Sequence, residues 1–193
     1  GRLSAVGVET WGLPDDLLRP VAVAAVKGAL QGHAPETVNY VNAFHVAQDR
    51  GLAVSETRHE GRGDYARSIR ISLSCGRDVS SAEGTLFSET DARVVAVDGL
   101  PVEFRPEGTV VFLRNRDVPG VVGSVGSILG AGGVNIADFS LARGGDRAAA
   151  VIAVLVVHRM MKRAPMPEFP PTLDYGGTAL SAIALGLLVF GIL

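Results

Sequence analysis

At 193 residues the chain has length for one large domain or two small ones, and 18 Lys plus Arg against 20 Asp plus Glu leave a formal charge of −2. That balance, with no basic block, argues against a nucleic-acid partner. The single cysteine, Cys75, excludes an internal disulfide and points to a reducing, cytoplasmic setting.

The chain opens on Gly rather than Met, and residues 1–12 lack the basic start and apolar centre of a signal peptide. The expectation is the back part of something longer, or a processed product. Residues 4–9 alternate polar and apolar, with Val6 and Val8 on one face, and suit a half-buried strand. Gly12-Leu13-Pro14-Asp15-Asp16 starts a helix with Pro in the first turn and acids at its positive end; the run ends at Gly32. A second helix fits 40–50, with Gly51 as its C′ residue.

From Leu52 the period becomes two. Val54 lies in a strand, Ile69, Ile71 and Leu73 alternate with polar neighbours, and strands follow at 79–88, 93–97 and 102–104. Gly61-Arg62-Gly63-Asp64, Gly76-Arg77-Asp78, Thr90-Asp91 and Asp98-Gly99 supply the turns. The pattern predicts an α+β unit with a largely antiparallel sheet, residues 1–105. Cys75, at the end of a strand, is expected to pack or turn rather than react.

A second unit, 106–158, reads as a strand at 109–113, a helix at 119–132 opened by Pro119, and strands at 135–142 and 148–157. These are the first four elements of a ferredoxin-like β-α-β-β-α-β unit. The last two elements are replaced over 159–193 by a basic cluster (159–163), four prolines (Pro165, Pro167, Pro170, Pro171) and an apolar run at 179–193. That run falls short of the ~20 residues a spanning helix needs. It reads as a membrane anchor, as a core helix standing in for the missing one, or as a tail with no selected role.

Asn115 and Asp117 lie between an apolar strand and a helix N-terminus, beside Pro119 and Gly120, and Asn135 opens the next strand. Helical N–H groups beside an acid can hold a small zwitterion, the carboxylate on the N–H groups and the ammonium on the acid. Gly120, Gly123, Gly126 and Gly130 form a second helix face, suited either to close approach of a ligand or backbone or to tight helix–sheet packing. They do not form the dinucleotide-binding G-x-G-x-x-G.

Catalytic constellations are missing. His33, His45, His59 and His158 are dispersed without ligand spacing, and His45 with Asp49 reads as a surface pair at i,i+4. Glu83-Gly84-Thr85 reads as structural, and Glu89 and Asp91 as solvated acids flanking a turn. Arg93 and Arg105 bracket a hairpin. They either converge at the joint between the units, where two guanidiniums would hold a phosphate or carboxylate, or remain separate surface arginines.

Val38-Asn39-Tyr40-Val41-Asn42-Ala43, Ala82-Glu83-Gly84-Thr85-Leu86-Phe87, Val97-Asp98-Gly99 and Phe104-Arg105-Pro106-Glu107-Gly108 together resemble the C-terminal regulatory half of long-form D-3-phosphoglycerate dehydrogenases. Arg114-Asn115-Arg116-Asp117-Val118-Pro119-Gly120 through Asn135-Ile136 is similar to that family's ACT domain. The resemblance implies an intervening domain followed by an L-serine-binding ACT domain. Asn115 and Asp117 match its serine pocket, Asn135 matches an asparagine contributed across an ACT–ACT dimer interface, and Arg93 and Arg105 match basic positions of an anion or second effector site. The implied role is allosteric control of L-serine biosynthesis as a homo-oligomer. The family's catalytic residues and NAD-binding domain have no counterparts here, so NAD belongs to the parent enzyme. A likeness of the intervening fold to iron–sulfur serine dehydratases does not extend to chemistry, because one cysteine cannot hold such a cluster.

Overall fold

A computed structural model describes residues 2–31, 37–61, 63–107, 109–115, 118–143 and 150–156. Strand β1 (Ala5–Trp11) keeps its alternation two residues past the expected end, with Val6, Val8 and Thr10 buried. Helix α1 (Asp15–Leu30) follows, capped by Pro14, with Asp15 and Asp16 in its first turn. Pro20 stands inside this helix and cannot donate to a preceding carbonyl. Burial of Val21, Ala22, Ala24, Ala25, Val26, Ala29 and Leu30 beyond it holds the helix together. The cap residue is Gln31; Gly32, the expected terminator, lies outside the described residues.

Helix α2 (Ala43–Asp49) begins later than the expected position 40. The Asn39 carboxamide oxygen accepts from the N–H groups of Val41 and Asn42 at 2.9 and 3.0 Å, and Asn39 N–H donates to Asn42 Oδ1 at 2.7 Å. Side chains thus capture the backbone in a turn before the helix can start. Its end follows expectation. Gly51, at φ +66°, donates to the Gln48 carbonyl while Leu52 donates to that of Ala47, each at 2.9 Å.

Five further strands are β2 (Ala53–His59), β3 (Ser68–Cys75), β4 (Asp78–Leu86), β5 (Ala92–Val97) and β6 (Leu100–Phe104). They form a six-stranded sheet in the order β2-β1-β3-β4-β5-β6. The sheet is largely antiparallel, as expected; β1 and β2 run parallel and require a crossover, which α1 and α2 provide. The hairpin between β5 and β6 turns at Asp98-Gly99, both at positive φ (50° and 74°), the conformation of a type I′ turn. Helix α1 packs on β1 and β2 and α2 on β2, and their buried residues share one core with Ile69, Ile71, Leu73 and Val94.

The remaining elements are β7 (Thr109–Asn115), α3 (Val121–Ala131), β8 (Ile136–Arg143) and β9 (Ala150–Val156). Their sheet order is β7-β9-β8 with both pairs antiparallel, as in the first four elements of a ferredoxin-like arrangement. Helix α3 starts at Val121, not at Pro119: Gly120 takes φ +92° and serves as the cap, leaving Pro119 before the helix. At the other end Gly133 (φ +69°) and Val134 donate to the carbonyls of Gly130 and Leu129, the same closing motif as in α2.

Helical period predicts an apolar face of Val121, Val125, Ile128 and Leu129; Val121, Val125 and Leu129 pack with Val111, Leu113, Ile136, Phe139 and Leu141 over the sheet, but Ile128 does not join them. The glycine face is not used in helix–sheet packing. No described atom lies within 4 Å of a Cβ built at Gly123, Gly126 or Gly130, and Ile128 is 70% exposed. On the opposite sheet face, Val110, Phe112 and the buried Ala142 join the core of the larger sheet. The stretch expected to replace the fifth and sixth elements, with its basic cluster, its prolines and the apolar run at 179–193, lies outside the described residues. Among the described residues no helix is long and apolar enough to cross a membrane.

Candidate functional site

The residues expected to hold a zwitterion divide between the two ends of the smaller unit. Asn115 ends β7, paired with Ala150, and the exposed Pro119 and Gly120 lead directly into α3 at that end. Asn135, also exposed, comes just before β8, whose first residue shares Val156 with Thr109 at the start of β7. At 1.5 Å per residue the 11 residues of α3 separate these ends by roughly 16 Å. One chain therefore cannot bring Asn135 to the Asn115 end; a pocket using both needs a second copy. Asp117 lies outside the described residues. The cap residue of α3 is Gly120, which has no side chain to offer its first-turn N–H groups an acceptor.

Arg93 and Arg105, in contrast, meet. Val94 pairs with Phe104, and one antiparallel step further the register sets 93 opposite 105. Arg93 grips Asp91 with two bonds, Nε to Oδ1 at 2.9 Å and Nη2 to Oδ2 at 3.2 Å, and sends Nη1 to Glu103 Oε1 at 3.2 Å. Arg105 Nε reaches the same Asp91 Oδ1 at 3.3 Å. The Arg93 hydrogen bonds hold the Asp91 carboxyl below its ordinary value, against desolvation, and the charges of both arginines act the same way. Reciprocally, Asp91 raises Arg93, with Glu103 and Asp138 adding to the effect.

Asp91 is therefore not the solvated turn acid that its position suggests, since its side chain is only 26% exposed. Its backbone is fixed as well: Phe87 N–H donates to the Asp91 carbonyl at 2.9 Å, and Asp91 N–H to Ser88 Oγ at 3.2 Å. Across the joint, Ser140 Oγ on β8 donates to the Glu103 carbonyl at 2.7 Å.

On the sheet face away from the helices, Trp11 stacks on His59 at 4.4 Å and lies under the Arg70 guanidinium at 4.9 Å. Glu9 bonds His59 and Glu83 bonds Arg70, each at 2.7 Å. Glu83, expected to be structural, is paired with Arg70 in this ladder; alternation, which puts Glu9 and Trp11 on one face, is the sequence signal for the rest. His45 and Asp49 form the expected exposed pair at 3.4 Å. Cys75 is buried, its thiol 2.8 Å from the Arg2 carbonyl. Two open grooves flank Arg19 on the α1–α2 surface, one lined by Phe44, His45 and Leu52, the other by Pro20, Val23 and Tyr40. Neither includes any residue discussed above as a ligand contact.

Residues 2–98 match the model of the D-3-phosphoglycerate dehydrogenase intervening domain. The chain belongs to that family. It is 38% identical over 136 residues to D-3-phosphoglycerate dehydrogenase of Synechocystis, covering 70% of this chain and 24% of the relative. The Bacillus subtilis enzyme of the same name is 32% identical over 123 residues, with 64% and 23% covered. That of Archaeoglobus fulgidus is 28% identical over 148 residues, with 77% and 27% covered. The chain thus spans about a quarter of the length of the curated relatives it matches, in their C-terminal part. Since 136 residues cannot fit within 2–98, the first of these similarities extends into the β7–β9 unit.

Proposed function

We propose that this chain is the effector-sensing part of a phosphoglycerate dehydrogenase, binding L-serine between two copies of the β7–α3–β8–β9 unit. The observation that carries this is the separation of Asn115 and Gly120 from Asn135 at opposite ends of α3, which suits a pocket completed by a second copy. Serine would favour one arrangement of the paired units and shift the parent enzyme through its differential affinity. NAD and 3-phosphoglycerate would be handled by the parent's other domains. A phosphate or carboxylate anion at Arg93 and Arg105 forms the second part of the proposal, supported by the convergence of the two guanidiniums.

Calorimetric titration of the purified chain with L-serine and D-serine tests the first part. Heat with the L-enantiomer alone supports it; equal or absent heats remove it. A second reading, an oligomerisation module without ligand response, is favoured by the open glycine face of α3 and the exposed Ile128. Sedimentation with and without serine separates the two, because a purely structural dimer would ignore the ligand. The membrane-tethered alternative depends on residues 179–193, outside the described part.

A further inference from the structure

The geometry points to Asp91 as a built-in occupant of the Arg93–Arg105 anion site, so that an external anion binds only by displacing this carboxylate. The inference rests on the anion reading given above and adds its regulation. A guanidinium presents carboxylates and phosphates with a two-pronged edge, and Asp91 already takes that edge of Arg93, Oδ1 on Nε and Oδ2 on Nη2. The remaining Arg93 nitrogen holds Glu103, and Arg105 adds its Nε to Asp91 Oδ1.

Charge leads to the same conclusion. Two cations face Asp91 and Glu103 directly, and Asp138 of β8 acts on Arg93 from across the joint. With the Asp91 carboxylate in place, the ensemble of Arg93, Arg105, Asp91, Glu103 and Asp138 is net negative and offers an incoming dianion no attraction. With Asp91 swung away, the two guanidiniums present a vacant fork. The backbone of Asp91 is pinned to Phe87 and Ser88, so the gate is a side-chain rotation and needs no loop movement. The site accepts a compact dianion able to span two guanidiniums, a phosphate or a dicarboxylate.

The test titrates inorganic phosphate into the full chain and into Asp91→Asn, which keeps the shape and removes the charge. Loss of one unit charge a few ångströms from the ligand should tighten binding about tenfold or more. That gain should vanish in Asp91→Asn combined with Arg105→Gln. Equal affinity of wild type and Asp91→Asn overturns the displacement mechanism and leaves the anion site standing. Absence of phosphate binding in both overturns the site and the mechanism together. Should Asp91→Asn fail to fold, carboxyl-carbon NMR of the wild-type chain decides. Phosphate must move the Asp91 resonance in step with the Arg93 Nε signal, and an Asp91 signal unmoved at saturation rejects displacement.

Discussion

Phe104 at the end of β6 and Phe112 in β7 meet edge to face, their ring centroids 5.4 Å apart at 61°. This contact, with Ala142 and the Ser140–Glu103 hydrogen bond, joins the smaller sheet to the larger one. Phe112→Ala should remove the aromatic pair and leave a void at the joint. A loss of about 2–4 kcal/mol is expected, below the full-burial range because Phe112 is only partly covered. Urea unfolding measures it, and faster amide exchange in β8 than in β3 would show that the joint loosens first.

Gly12 and Gly51 provide a matched pair. Both take φ +66°, but a Cβ at Gly12 would run into the Ala66 carbonyl oxygen, whereas Gly51 has open space. Gly51→Ala should cost only the left-handed penalty of about 1–2 kcal/mol. Gly12→Ala must also push the 61–67 connection away and should cost clearly more. Equal thermal shifts in the two variants would contradict this.

The acid limb of stability should carry an Asp91 contribution. Its carboxyl is held below the ordinary 3.8 chiefly by the Arg93 hydrogen bonds, with the Arg93 and Arg105 charges assisting. A depressed carboxyl stabilises the folded chain above the unfolded value, and that stabilisation is lost as pH falls through the folded one. The contribution should be complete at neutral pH and fade only below about 3.8. Stability profiles of wild type and Asp91→Asn should therefore converge toward low pH; parallel profiles down to pH 2 would refute the assignment.

Asp117→Ala should abolish any serine heat, because the ammonium would lose its charge partner. Arg105→Gln should leave that heat nearly intact, since its guanidinium serves the Asp91 cluster. Loss of serine binding in both variants would mean that the two sites are one.

Where a repeat reported on a single face, the sequence was legible. The alternation of Ile69, Ile71 and Leu73 marks β3, and the spacing of Val121, Val125, Ile128 and Leu129 marks the sheet-facing side of α3 except at Ile128, which is exposed. Errors arose where side chains competed with the backbone or where partners were distant. Asn39 and Asn42 delayed α2, and the positive φ of Gly120 delayed α3. The parallel pairing of β1 with β2 is a tertiary fact that no local pattern encodes. The Arg93–Arg105 hairpin could be drawn from its Asp98-Gly99 turn. The Asp91 carboxylate between them could not, because a turn acid looks solvated until its neighbours are placed.

The position of β1 has a kinetic consequence. Ala5–Trp11 precedes both of its partners and lies between them, pairing with residues 53–59 on one side and 68–74 on the other. From β3 to β6, by contrast, each strand pairs with the next across a short turn. Loop closure favours those neighbours first, so the meander should assemble early and β1 should enter late, zipping the parallel and antiparallel ladders together. Until it does, the β3 edge stays open to other chains, and dilute refolding should outperform concentrated refolding.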